Sequence, residues 1–419
     1  MWNTIIWICF LSVSRINAGP LWNKYLHYLE LPAVDRFREY LRIDTSKEEN
    51  LKYAVEFWIR QVKVLDLPYA IYEPAGRPIF VATWEGSDPT LPSIMLNSHM
   101  DVVKVDEDEW SHPPFDAYMD KNGDIYGRGS QDDKDVGIMY LEAIRRLKKE
   151  NVTLARTLHL TVMPDEETGG KRGMRTFVKT VHFKALNIGF ALDEGVPTAD
   201  DIFFPSFVDK RAWQMEFEIH GEGGHGYLMP DNSAMVNAYK FIKAVMAFRD
   251  TQKDIHRKNE SDAASYTSVN INFMEGGLAA NIIPTYFKLL IDMRLATNAN
   301  PDEIQSMVNS WISEAANETK VTYLRRETKS GITSVDKTNP YWVAMAKTLD
   351  DIGVKYRPVV LPATSDMISL RNLGIPAIGF TTKINTIPRV HAKDEYQNVE
   401  TFLKGIDIYT EIIKNLANL

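Results

Sequence analysis

Short apolar runs alternate with helical patterns along most of this chain, and a different pattern interrupts them once in the middle. Ile79–Thr83, Ser93–Leu96, Thr157–Met163 and Ile188–Leu192 read as strands. Between the second and third, Val136, Met139, Tyr140, Ala143, Ile144 and Leu147 mark one apolar stripe on a helix over Asp135–Lys149. Strand, helix, strand at this spacing implies an α/β fold with a mostly parallel central sheet.

The interruption alternates differently. Trp213–Ile219 has the period of a half-exposed strand, Ser233–Phe248 reads as a helix, and Ser268–Phe273 and Tyr286–Met293 read as strands. Pro301–Ala316 opens on Pro with Asp302 and Glu303 behind it, as helix N-termini do, and Val321–Arg325 closes the set. The order β-α-β-β-α-β describes a small α+β insert. The first pattern then resumes with a helix over Pro340–Ile352 and a strand at Ala377–Phe380. The expected organisation is an α/β domain over 19–206 and 328–419, interrupted by an α+β domain over 207–327.

The first eighteen residues read as a leader. Ile5–Val13 is apolar but too short to span a bilayer, and Ala18 is a small residue suited to cleavage. A buried N-terminal strand is the alternative. Secretion follows from the leader, with a cytoplasmic location as the alternative. The sole cysteine, Cys9, lies inside the leader, so a chain starting near Gly19 has no disulfide. Loss of Arg15 takes the net charge from −8 to −9. That charge makes nucleic acid and anionic membrane unexpected partners. Sequons at Asn151, Asn259 and Asn317 fit a secreted surface.

Residues able to bind metal follow the ends of the expected strands, where open α/β sheets place their sites. His99 and Asp101 follow one strand and Asp132 stands at the helix start. Glu166 and Glu167 precede Gly169-Gly170, Asp193-Glu194-Gly195 follows the next strand, and His391 lies far downstream. Singly, these read as a surface His–Asp pair, an acidic turn or a helix cap. Together, their like charges would repel without cations. Carboxylate and imidazole ligands without thiolate favour zinc, with cobalt or manganese as alternatives.

Asn97–Val103, Arg128–Asp132, Pro164–Gly170, Leu192–Gly195 and Gly374–Phe380 resemble the M20 zinc metallopeptidase family, and its aminoacylase branch in particular. The likeness covers nearly the whole mature chain. It implies a metal-binding α/β domain with an inserted lid and dimerisation domain, and two Zn2+ per subunit. His99 and Asp193 would hold one ion, Glu167 and His391 the other, and Asp132 would bridge them. Asp101 would orient His99, and Glu166 would be the general base. His225 would reach across a homodimer to the partner's substrate, while Asn281 and Arg294 would bind substrate. Bland readings stand beside these: a turn histidine for His225 and a surface ion pair for Arg294.

The implied reaction is hydrolysis of N-acyl-L-amino acids, small-molecule substrates, to a carboxylate and a free L-amino acid. A dipeptidase or carboxypeptidase of the same family is one alternative. A secreted ligand-binding protein that has lost turnover is another. Two departures bear on substrate preference. Ile368 stands where aminoacylase-like chains have an arginine, with Arg371 one helical turn on. Gly226 and Tyr227 follow the lid histidine, where a serine or alanine is common. A more apolar pocket with a weaker grip on carboxylate is the corresponding expectation.

Overall fold

The computed structural model describes residues 25–258, 262–315 and 319–419. The expected leader, Cys9, Asn259 and Asn317 lie outside them. Asn151 is exposed in the turn after a helix. No helix among the described residues is long and apolar enough to cross a membrane.

An eight-stranded sheet forms the body. In spatial order its strands are Tyr69–Tyr72, Ile79–Trp84, Leu158–Met163, Ser93–His99, Ile188–Asp193, Ala377–Gly379, Ser206–Asp209 and Val359–Leu361. The four strands from Leu158–Met163 to Ala377–Gly379 pair in parallel. The Ile79–Trp84 strand pairs antiparallel with both its neighbours, as does Ala377–Gly379 with Ser206–Asp209. The sheet is therefore mixed. Parallelism holds where helices carry the chain between strands, and it fails at the hairpin from Tyr72 to Ile79.

Both faces are covered, as strand alternation shows. Phe80, Ala82, Ile94, Leu96, Leu160, Val162 and Leu192 point into one core cluster. Ile79, Val81, Met95, Met163 and Ala191 point into another on the opposite face. The first cluster is roofed by the helices Pro32–Leu41, Leu51–Val64, Lys134–Lys149, Pro340–Asp351 and Val399–Ala417. Each fully buried aliphatic or Phe side chain contributes about 1.5–3 kcal/mol relative to exposure.

The helix Lys134–Lys149 differs from the expected single stripe, because its first three turns are buried nearly all round. Its buried charged groups have partners. Lys134 Nζ donates to the carbonyls of Ile43 (2.6 Å) and Tyr40 (3.2 Å), and burial pulls its pKa down to about 7. Asp135 accepts from Lys383 Nζ at 2.8 and 2.9 Å, and Arg36 grips Glu142 at 2.6 and 2.7 Å. Periodicity counts only apolar positions, so charged residues buried in pairs escape it.

Between Arg211 and Arg326 a separate four-stranded sheet forms, in the order Ser268–Gly276, Tyr286–Leu295, Arg211–His220, Lys320–Arg326. Trp213, Met215, Phe217 and Ile219 are buried against the helices Ala234–Lys258 and Pro301–Ala315. Gln214, Glu216, Glu218 and His220 alternate onto the other face, half-buried.

Arg371 ties the edge of the large sheet together. Its guanidinium is fully buried and donates to Asp209 Oδ1 (2.5 Å), Ser206 O and Ala377 O. Asp209 Oδ2 in turn accepts from the Ser365 amide at 2.9 Å and from its hydroxyl at 2.8 Å. Arg371 therefore does not reach a substrate. Arg371→Met strands a buried carboxylate and should lower stability by about 3–5 kcal/mol in urea unfolding. A loss below about 1 kcal/mol would show that this pair does not hold the edge.

Candidate active site

Five segments converge at the carboxyl ends of the parallel strands. His99 is the last residue of its strand, and its Nδ1 lies 2.9 Å from the Asp101 carbonyl. A carbonyl only accepts, so Nδ1 carries the proton and Nε2 is left bare toward the site. Nε2 lies 3.1 Å from Asp132 Oδ1 and 3.8 Å from Glu194 Oε2. The other oxygen, Asp132 Oδ2, lies 3.3 Å from His391 Nε2, which is also 2.8 Å from Glu167 Oε2. Two groups of donors able to hold a metal ion result: His99, Asp132 and Glu194, and Asp132, Glu167 and His391.

Glu194 takes the place expected of Asp193. Asp193 ends its strand with both oxygens occupied: Oδ1 accepts from the Glu194 amide (2.9 Å) and Oδ2 from Asn97 Nδ2 (3.1 Å). Adjacent strand residues face opposite ways, so only one of the pair can meet His99. The Gly that follows is required by close approach, since a Cβ on Gly195 would lie 2.7 Å from the Thr381 nitrogen.

Asp101 holds His99 through its backbone carbonyl rather than through its carboxylate, which serves a second partner. Its carboxylate lies 3.7 Å from His99 Nδ1, and its carbonyl holds the ring instead. The carboxylate oxygens accept from the Glu166 and Glu167 amides, both at 3.2 Å. That turn is pinned from beneath by buried Asp165, which accepts from Arg77, Thr168 Oγ1 and the Arg172 amide. Gly169 and Gly170 complete it at φ +93° and +67°, where a side chain is strained. The motif is thus a rigid turn presenting two adjacent carboxylates in different directions.

The loop carrying Asp132 is nested on Glu395. This buried carboxylate accepts from Arg128 Nη1 (2.6 Å) and from the amides of Gln131 (2.6 Å), Asp132 (3.1 Å) and Gly129 (3.2 Å). Burial pushes Glu395 up to about 7 against the pull of Arg128. His391 lies four residues before it, at φ +61°. That region is uncommon for residues other than glycine, though His is enriched there.

Electrostatics follow from this crowding. Burial, then Glu194, raises Glu166 well above the usual carboxylate range. Burial raises Glu194 to about 8 and Asp193 to about 6. Burial would raise Asp132 too, yet the hydrogen bonds from His391 and His99 hold it well below its ordinary value. Asp132, then Glu167, raises His391 to about 10. Glu167 Oε1 is buried without a hydrogen-bond partner. Such a cluster, rich in oxygen and imidazole donors and poor in positive charge, fits divalent metal.

The cluster forms one wall of a cavity of about 330 Å³. The inserted sheet contributes Gln214, Arg294 and Arg325 to the lining. Arg294 Nε donates to Asp292 Oδ2 (2.9 Å) and Nη1 to Thr364 Oγ1 (3.0 Å). His225 and Asn281 are exposed and do not line this cavity, although the Gly226 amide donates to the Asn281 carbonyl at 2.8 Å. Ile368 is buried and also lies off the cavity wall, so it does not make the pocket apolar. Glu194, Glu395, Gln214 and Arg325 carry no role in the sequence reading. Glu194 stood inside one of its motifs, whereas Glu395 lies four residues past His391, and Gln214 and Arg325 sit in ordinary strand patterns.

Glu395→Ala should weaken metal binding by about 10–100-fold in a chelator competition, with Glu395→Gln milder. Unchanged affinity in both would mean that the Asp132 loop holds itself.

Residues 95–415 match the family described as Peptidase family M20/M25/M40. The chain is 37% identical to aminoacylase-1 of Sus scrofa over 392 residues, covering 93% of this chain and 96% of that protein. It is 33% identical to aminoacylase-1 of Dictyostelium discoideum, covering 92% and 98%. Its fold is similar to an M20 family metallo-carboxypeptidase from Sulfolobus solfataricus, with TM-score 0.74 at 18% identity over 92% and 99% of the two chains. Human carnosine dipeptidase 1 superposes with TM-score 0.73 at 14% identity over 95% and 99%. With its sequence match and its cluster of metal-type donors in agreement, the chain belongs to peptidase family M20/M25/M40 and is a metal-dependent hydrolase.

Proposed function

We propose that the protein hydrolyses N-acyl-L-amino acids to a carboxylate and a free L-amino acid. One observation carries the reading: Asp132 divides its oxygens between two imidazole–carboxylate groups, and Arg294 lines the same cavity. An amide at the cluster with a free carboxylate on Arg294 fits that spacing of functions, and the aminoacylase-1 relatives support it.

Two zinc ions would be held by His99, Asp132 and Glu194, and by Asp132, Glu167 and His391. Bound there, they would polarise the amide carbonyl and acidify water. The remaining work falls to the protein. Glu166 adjoins a ligand but belongs to neither donor group, so its carboxylate is free to act as base. It accepts a proton from the attacking water and returns it to the leaving nitrogen, so that amide and water become acid and amine. The Asp101 carbonyl keeps His99 in the tautomer that presents a bare Nε2. Asp101's carboxylate holds the Glu166–Glu167 turn against the cluster.

The segment between the two long body stretches is read as a lid and dimerisation domain, and the protein as a homodimer. His225 and Asn281 sit together on its exposed end, with Tyr227, Leu228, Met229, Leu278 and Ile282 exposed beside them. An apolar rim around polar side chains supports their use in a partner subunit's cleft.

Glu166→Gln should retain metal and lose about 10²–10⁴-fold in turnover of N-acetylmethionine. Chelation should abolish turnover and added zinc should restore it. Full activity of Glu166→Gln would refute the choice of base. Cleavage of simple dipeptides in preference to N-acetylmethionine would move the protein to the dipeptidase reading. Bound zinc without turnover on a broad panel would favour a binding protein. Secretion belongs to the same proposal: the protein recovered outside the cell should begin near Gly19 on N-terminal sequencing. Retention inside the cell with Met1 intact would leave the cytoplasmic alternative.

A further inference from the structure

The inserted sheet sends two guanidiniums into the cleft, Arg294 and Arg325, whereas a single α-carboxylate needs only one. Arg325 arrives there through a bulge. Tyr323 pairs with Met215, but Arg325 pairs with Gln214, so Leu324 is an extra residue on its strand. One extra residue reverses the facing of every later residue on that strand. Tyr323 accordingly packs with Met215 against the inserted core, while Arg325 turns to the side of Gln214, which lines the cavity.

Both arginines are held alike. Arg294 Nε donates to Asp292 Oδ2, two residues back on its own strand, at 2.9 Å. Arg325 Nε donates to Glu327 Oε1, two residues ahead, at 2.8 Å, and its Nη2 lies 2.7 Å from the same oxygen. Glu327 is itself fixed by the Ala212 amide at 3.0 Å. Arg325 is thereby anchored along one edge with Nη1 left for a ligand, while Arg294, bonded also to Thr364 Oγ1 through Nη1, keeps Nη2. Arg325 Nη1 lies beside the turn that carries Glu166 and Glu167, since a Cβ on Gly169 would stand 3.2 Å from it. The two arginine strands flank the Arg211–His220 strand, which separates their backbones by about 10 Å. With separate anchors and separate strands, the pair suits two anionic groups better than one.

We propose that Arg325 is a specificity-determining residue that binds a second carboxylate, making dicarboxylate N-acyl amino acids the favoured substrate class. This rests on the N-acyl amino acid reading of the same cleft. The second carboxylate belongs either to the amino-acid side chain or to the acyl group. A purely structural Arg325, serving only to tie the inserted sheet to the Gly169 turn, is the rival.

Calorimetry on zinc-loaded Glu166→Gln protein separates these cases without turnover. N-acetylglutamate against N-acetylglutamine tests the side chain, and N-succinylmethionine against N-butanoylmethionine tests the acyl group. One dicarboxylate should bind at least about tenfold more tightly than its monocarboxylate counterpart. Arg325→Met should erase that ratio and change N-acetylmethionine binding by less than about twofold, with Arg325→Lys keeping part of the ratio. Equal binding within both pairs overturns the proposal, even if Arg325→Met fails to fold. Uniform weakening of every ligand by Arg325→Met overturns it in favour of the structural role. Wild-type turnover of N-acetylmethionine is measured alongside. Its absence counts against the hydrolytic reading, while the charge ratio still decides the role of Arg325.

Discussion

Asp132 is the point on which the site depends. One oxygen faces His99 and the other faces His391, residues nearly three hundred positions apart in the chain. A carboxylate can divide itself this way only if its backbone is held still, and Glu395 does that by accepting three loop amides and Arg128. The surrounding acids crowd one another: burial raises Glu166, Asp193 and Glu194, and repulsion from neighbouring carboxylates adds to it at Glu166 and Glu194. Such an assembly is costly unless positive charge enters it. The rigidity of the fold holds these ligands together, and a metal-dependent family uses that arrangement.

Rigidity comes from the layers around the sheet. The four central strands are parallel and covered on both faces, so their carboxyl ends open at one edge. Buried ion pairs lock the helices and edge strands that frame this edge, Lys383 with Asp135 and Arg371 with Asp209. The inserted sheet has its own core and offers its polar face to the cavity. On the proposed reading, chemistry sits on the body and selection among substrates on the insert. These functions can vary separately, because the two sheets share no strand.

Much of this was legible in the residues. Period-two runs located the central strands, and the α+β insert showed in the change of pattern between Trp213 and Arg325. His99, Asp132, Glu166, Glu167 and His391 stood out because chemically potent residues followed strand ends. Asp193 against Glu194 was not decidable, since a strand's last residues face opposite ways and the register at its end is set by neighbours. The resemblance assigned Asp101 to His99, and it holds that ring by its carbonyl while its carboxylate holds the turn of Glu166. Ile368 looked like part of the pocket, and packing buries it elsewhere.

By itself, then, the sequence determined the kinds of element, the family and the chemical type of the site. These depend on local periodicity and on short motifs, which are written in neighbouring residues. Tertiary structure decided which carboxylate of a pair meets an imidazole, which arginine lines the cavity and which is buried in an ion pair. Arg371 and Arg325 are alike in the chain, yet one fastens the sheet edge and the other lines the cleft. The difference comes from a bulge and from a buried partner, and both arise only when distant strands are brought into register.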